Sequence, residues 1–297
     1  MQFPTLMPDE HIYSGFVRAR FINAEMHISE RSFFALHDLP FHWIRSQTPL
    51  CSNLNAIIEL MASTPEKQFS LRLEHTPFAP WLLSLPDGMN AFDLTSSGHR
   101  NNLEENPYTV DRRWKLCPQC AKEERKRLGF AYWHVSHQLL GVIICPVHRT
   151  VLLSHDDLRY LNFTLPYHWL EKAEPLSCDA WQTEWQVFIC TLSARIQAEP
   201  CFAQTLVSEV KKHLKLTRGI KRSDKAYFDT LATEMHSELG EACLKGLFTD
   251  YATDKKRKVN IPWVTLSGYS QAKGIRHPLY WLAILFWLRH RLQVLRL

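Results

Sequence analysis

Residues 112–153 read RRWKLCPQCAKEERKRLGFAYWHVSHQLLGVIICPVHRTVLL. Two short turns frame this stretch, CPQC at 117–120 and CPVH at 145–148. A Cys-x-x-Cys turn lets two thiolates approach one ion from a tight backbone, and zinc takes four nitrogen or sulfur ligands in a tetrahedron. Cys117, Cys120, Cys145 and His148 supply three sulfurs and one imidazole. The interval between the turns is long for a bare finger but suits a knuckle, one helix and a second knuckle. Its content agrees: charged residues come first, then Phe130, Tyr132, Trp133, Leu139, Leu140 and Ile143 as packing residues. A structural Zn2+ is expected here, because a catalytic zinc keeps one position open and four good ligands leave none. A redox pair is the competing reading of CPQC, although no βαβ pattern surrounds it. His134 and His137 lie between the turns and compete as ligands. In an aromatic, helix-like stretch, the commoner fate of such residues is a hydrogen-bonded core or surface histidine.

Working outward, 297 residues suffice for one large domain or two to three small ones. The balance of 45% hydrophobic and 22% charged residues is that of a globular protein with a core. Ten glycines are too few for a Rossmann loop set or a turn-dense sandwich, whereas 10 Trp and 16 Phe point to several aromatic cores. The amino terminus has no basic segment followed by an apolar one, so no signal peptide is expected. The most apolar run, LYWLAILFWL at 279–288, falls short of the roughly 20 residues that cross a bilayer and reads as a buried helix. A cytoplasmic protein is expected, with its cysteines reduced or metal-bound. Cys51, Cys178, Cys190, Cys201 and Cys243 then read as buried thiols.

Helical periodicity dominates the rest, and the predicted class is mainly α, with helix-turn-helix-like regions around a central zinc-binding module. Asp9 is expected to cap a first helix with Ile12, Phe16, Ala19 and Arg20 at helical spacing. Ser29 and Ser52 are expected to cap two more, the latter with Leu54, Ile57, Ile58 and Met61 on one face. The expected divisions are an N-terminal helical domain at 1–85, a surface loop at 86–111, the zinc module at 112–165, a second helical domain at 166–254, and a basic segment with an apolar C-terminal helix at 255–297. Trp181, Trp185, Val187, Phe188 and Leu192 form a stripe in the second helical domain, and Pro278 opens the last helix.

No nucleophile elbow, P-loop, H-E-x-x-H or dinucleotide fingerprint occurs, which argues against an enzyme. Charge is more informative. After Asp254 come nine basic residues and no acid, so the first 254 residues carry a net −4 against +5 for the chain. Residues 112–127 hold seven Lys or Arg against two Glu, and 211–225 hold seven against one Asp. Lys211, Lys212, Lys215, Arg218, Lys221 and Arg222, with Lys255, Lys256, Arg257 and Lys258, are candidate nucleic-acid contacts, each phosphate contact adding salt-dependent affinity. A solvated helix face is the alternative for either cluster.

Together these motifs resemble the TniQ family, which includes the TnsD target-site selectors of transposons. FPTLMPDEHIYSGFVRAR resembles the family's start, with Pro4, Glu10 and Ser14 in matching places. LEHTPFAPW at 73–81 is similar to a His-Thr-x-x-x-Pro segment of TnsD-like members, and 112–153, with Tyr132-Trp133, resembles the family's zinc module. Residues 205–250 are similar, more loosely, to the helical part that follows. The resemblance implies no catalysis. It implies an adaptor that marks an insertion site and recruits an AAA+ regulator, which brings the transposase. It also implies Cys117, Cys120, Cys145 and His148 as zinc ligands and helix-turn-helix elements at 9–63 and 205–236. TnsD members continue with further C-terminal helical domains, from which this chain departs. The shorter form is similar to members that dimerise on a CRISPR Cascade complex, where guide RNA supplies sequence specificity by base pairing. A homodimeric, RNA-guided adaptor is therefore expected, the alternative being a TnsD-type attachment-site DNA-binding selector.

Overall fold

The computed structural model describes residues 2–39, 52–85, 108, 110–159, 163–216, 220–252, 259–267 and 276–295. The chain is mainly helical, as expected. It forms two compact units, one of residues 1–78 with 112–186, the other of 79–111 with 187–297.

The first unit opens with α1 (Ile12–Ile22), α2 (Glu30–Leu36), α3 (Ser52–Met61) and α4 (Pro65–His75). Ile12, Tyr13, Phe16 and Val17 step along the buried side of α1. Ser29 caps α2 by accepting from the Ser32 amide at 3.2 Å. Ser52 is the first residue of α3, whose Leu54, Ile57 and Ile58 are buried. The sequence reading passed over α4, although Thr64 caps it and Pro65 holds the favoured first position. Next come α5 (Pro118–Leu128), the single turn α6 (Val135–Gln138), and two short antiparallel strands, β1 (Leu153–Ser154) and β2 (Glu174–Pro175), pairing Leu153 with Pro175. Phe16, Phe33, Phe34, Ile57 and Ile58 share one core with Trp114 and Trp133 of the cysteine-bearing segment. The aromatic core that composition anticipated thus fastens helices from the start of the chain to the metal module.

Asp9 does not cap α1. That place belongs to His11, whose Nδ1 accepts from the Tyr13 amide at 3.2 Å. Asp9 instead caps α6, about 125 residues away in sequence: its Oδ1 accepts from the Ser136 amide at 2.9 Å and its backbone carbonyl from the Val135 amide at 2.8 Å. Sequence neighbourhood supplied one plausible helix start, and tertiary packing supplied another.

Helix α7 (Trp181–Ala198) begins in the first unit's residues and ends in the second's. Trp185, Phe188, Ile189, Leu192 and Ile196 are buried, but Val187 is 58% exposed, being two positions from Trp185 and so off its face. The second unit contains α8 (Phe202–His213), α9 (Lys225–Leu247), α10 (Ile261–Leu266) and α11 (Leu279–Trp287). Every residue of α11 is buried, as its apolar sequence demands, with Pro278 one place earlier than expected, as the capping residue. Within the expected surface loop, Tyr108 is buried: its amide donates to the Tyr280 hydroxyl at 2.7 Å and its own hydroxyl accepts from the Val259 amide at 2.8 Å. Gly240 interrupts α9 with a φ of +79°, a conformation that side chains resist. Of the cysteines read as buried, only Cys243 is so; Cys190 is half-buried, Cys178 and Cys201 are exposed, and Cys51 lies outside the described residues. No helix among the described residues is long and apolar enough to cross a membrane.

Candidate metal centre

The two knuckles are built differently. Cys117 occupies the residue before α5 and Cys120 its first turn, with Pro118 setting the backbone for helix entry. Cys145 and His148 sit on the turn of a small hairpin, which is closed by the Leu152 amide on the Ile143 carbonyl at 2.8 Å and the Cys145 amide on the Thr150 carbonyl at 2.8 Å. The Leu116 and Leu153 amides donate to each other's carbonyls at 3.0 and 2.8 Å, which fastens that hairpin to the segment leading into α5.

The four ligand atoms lie within 4.8 Å of one another. His148 Nδ1 is 3.2 Å from Cys120 Sγ, 3.5 Å from Cys117 Sγ and 3.7 Å from Cys145 Sγ, and the Cys120 and Cys145 sulfurs are 3.7 Å apart. Bond lengths of about 2.3 Å to sulfur and about 2.0 Å to nitrogen give tetrahedral edges of roughly 3.5–3.8 Å. The donor set therefore fits a four-coordinate ion with no vacant position, and all three cysteines are buried. Three thiols this close share protons unevenly. S–H donation from Cys120 and Cys145 holds Cys117 far below the ordinary thiol range, while contacts with Cys117 and Cys145 push Cys120 far above it. A divalent cation among the sulfurs removes that conflict by favouring the thiolate at each.

Around the ligands stands a second layer that the sequence reading did not assign. Glu123 Oε2 lies 3.2 Å from His148 Nε2, so the carboxylate accepts that N–H and leaves Nδ1 as the ligating nitrogen. His137 Nε2 approaches Cys145 Sγ at 3.4 Å. Burial, aided by the charge of His134, pushes the His137 pKa down to about 3, so a neutral ring donates its N–H to the sulfur. His134 does not compete as a ligand. Its Nδ1 faces Asp9 Oδ2 at 3.0 Å and its Nε2 faces Glu124 Oε1 at 2.6 Å. Burial acts to lower its pKa, but the two carboxylates overcome this and raise it to about 9, so the ring is an imidazolium joining the N-terminal segment to α5. Glu123 and Glu124 follow Cys120 by three and four positions, a spacing that returns both to the side of the helix that carries Cys120, one turn further on. Only that spacing could have flagged them.

The proposed nucleic-acid contacts fall elsewhere. Lys212 and Lys215 are exposed and Lys211 half-buried at the end of α8; Lys212 pairs with Glu209 at 3.5 Å. Lys221 is exposed, and its amide donates to Asp224 at 2.9 Å. Arg222 opens a short 3-10 turn, Arg222–Asp224. Arg218 and Lys255, Lys256, Arg257 and Lys258 lie outside the described residues. Eleven residues, 214–224, separate α8 from α9, against the three or four of a compact helix-turn-helix. Of the basic cluster at 112–127, Lys115 is turned inward, donating to the Leu139 and Val142 carbonyls at 3.0 and 2.7 Å.

Fold and centre together define a mainly helical protein with a three-cysteine, one-histidine cluster whose ligand atoms are close enough to hold a metal ion. No curated protein matches the chain. A family model, described as TniQ, matches residues 1–152, which include all four residues of the candidate metal site, and the chain belongs to the TniQ family. Membership implies a transposition target-selection adaptor.

Proposed function

We propose that this protein is a non-catalytic targeting adaptor that holds Zn2+ on Cys117, Cys120, Cys145 and His148 and links an RNA-guided Cascade complex at its DNA target to an AAA+ regulator and, through it, the transposase. The observation that carries the adaptor reading is the family match over the half of the chain that contains the metal module. The ion is a scaffold in this reading: it fixes α5 against the hairpin, and the common core carries that order to α1–α3. Zinc is the choice of metal because three thiolates and one imidazole in a tetrahedron suit it.

The second unit favours an adaptor over a DNA-reading selector. The exposed residues of α9 include Asp229, Glu234 and Glu238, whereas base readout in a major groove calls for Arg, Lys, Asn or Gln. In the selector reading, Lys211, Lys212, Lys215 and Lys221 hold phosphates beside that helix. A homodimer completes the proposed assembly. The test is co-expression with candidate Cascade subunits and guide RNA, followed by size exclusion at moderate salt. Co-elution of protein and RNA is expected. Tight, salt-resistant binding to one DNA fragment without co-elution would favour the selector instead.

A further inference from the structure

Lys115, 5% exposed, is the only buried lysine among the described residues. It sits in the extended stretch that leads into the first knuckle. Leu116 bridges to Leu153 there, and Cys117 keeps an extended backbone, with φ −97° and ψ 126°. Residues two apart in an extended chain share a side, so Lys115 and Cys117 point the same way. The Lys115 ammonium donates to the Leu139 and Val142 carbonyls at 3.0 and 2.7 Å, in the loop that runs towards the second knuckle. Gln138 holds the backbone beneath it, its Oε1 accepting from the Lys115 amide at 3.0 Å and its Nε2 donating to the Lys115 carbonyl at 2.8 Å. His137, 3.4 Å from Cys145 Sγ, feels the charges of both Lys115 and Cys117. A fixed cation thus stands beside the cysteine cluster and joins the segments that lead into its two turns.

Two backbone carbonyls do not by themselves call for a charge. A neutral donor would satisfy them, and burying an ammonium costs far more than burying an amide or hydroxyl unless negative charge is close. The cysteine cluster provides that charge once it holds an ion. Three thiolates, one divalent cation and a neutral imidazole leave a net of one negative charge. The amino end of α5 offsets part of it at Cys117 and Cys120. His134, the other buried cation nearby, is already shared between Asp9 and Glu124, and Glu123 adds a carboxylate at His148.

We infer that Lys115 is the counter-cation of the metal centre, a positioning residue whose buried ammonium balances the excess negative charge of three thiolates around one divalent ion and so sets how tightly that ion is held. The inference rests on the Zn2+ reading proposed above and extends it to a residue that is not a ligand. A monovalent ion in the same place would leave two negative charges against one ammonium, so the pairing favours a divalent ion.

The test uses the full chain stripped of metal and titrated with Co2+, whose thiolate absorption reports binding, and then with Zn2+ in competition. Lys115→Met should weaken Zn2+ binding about tenfold or more, as expected for loss of a partner outside the ligands themselves. In a Cys117→His background the centre has one thiolate fewer and is neutral, so the same change should cost about twofold or less. A role confined to tying the two segments together would cost the same in both backgrounds. Should Lys115→Met fail to fold, Lys115→Gln takes its place, keeping a donor for the carbonyls without the charge. Unchanged Zn2+ affinity in the folded Lys115 variant would overturn the inference, and so would an equal loss in the two backgrounds. An unmodified chain that binds neither Co2+ nor Zn2+ would remove the metal reading and this inference with it, a result distinct from a loss confined to the variants.

Discussion

Individual side chains decide whether the metal module holds. Replacing Cys117 or Cys145 with Ser removes a ligand from a site whose binding free energy is folding free energy, of the order of 10 kcal/mol for structural zinc. The variants should purify without zinc by elemental analysis and lose the cooperative melting of the first unit; full zinc occupancy in either would refute the ligand assignment. His134 makes a separate prediction. Its folded pKa, about 9, exceeds the ordinary 6.5, so its contribution is complete below about pH 6.5 and disappears as pH rises through 9. Asp9 is shifted the other way: burial would raise it, but the bonds from His134 and Ser136 prevail, so its share is lost as pH falls below the ordinary carboxylate range. Melting curves of the wild type should therefore decline between pH 7 and 10, by up to about 3 kcal/mol, and His134→Gln should be lower at pH 6 but flat over that interval. A parallel decline in the variant would refute the role given to this ring. Of these roles the sequence displayed the ligands, because a Cys-x-x-Cys turn is local. The clamp was hidden, because nothing about Asp9 announces a histidine 125 positions away.

Among the elements, legibility followed how local the cause of each helix is. Helix α11 was plain because an apolar surface all round has no stable place except a core. Ser29 was a correct cap because its partner lies three residues on. Helix α4 was passed over because PEKQFSLRLEH carries only a weak apolar stripe, yet the Thr64-Pro65-Glu66 start was there to be read. Val187 was assigned to the wrong face because a broad apolar stripe does not say which edge of it packs. The metal helix allows a test at this scale. Gly129 ends α5 in the left-handed region at a φ of +83°, with open space around its Cα. Gly129→Ala should cost about 1 kcal/mol through backbone strain alone, lowering the denaturation midpoint while zinc remains fully bound. Loss of zinc in that variant would mean that the cap serves the ligands and not only the helix.

At the scale of the molecule, the sequence divided the chain in order, whereas each compact unit draws on two separated segments. Local patterns cannot reveal that pairing, since Phe16 and Trp133 meet only once the chain has folded back through more than a hundred residues. A consequence for metal removal follows. Treatment with a mercurial and a chelator should abolish hydrogen-exchange protection over α5, the knuckle hairpin and the α1 segment packed on Trp114 and Trp133. Helices α8 and α11, which supply no ligand, serve as the internal reference. Undiminished protection of α1 in metal-free protein would show that the shared core stands without the ion.

Trp114 and Trp133 lie within that core with ring centroids 5.3 Å apart and planes inclined at 56°. Two indoles so close and so tilted couple their electronic transitions, giving the folded module a chiral optical signature that vanishes once the rings part. Were an ion added to or stripped from the cysteine cluster, that signature would report whether the order of the core follows it, readable by circular dichroism without label or mutation.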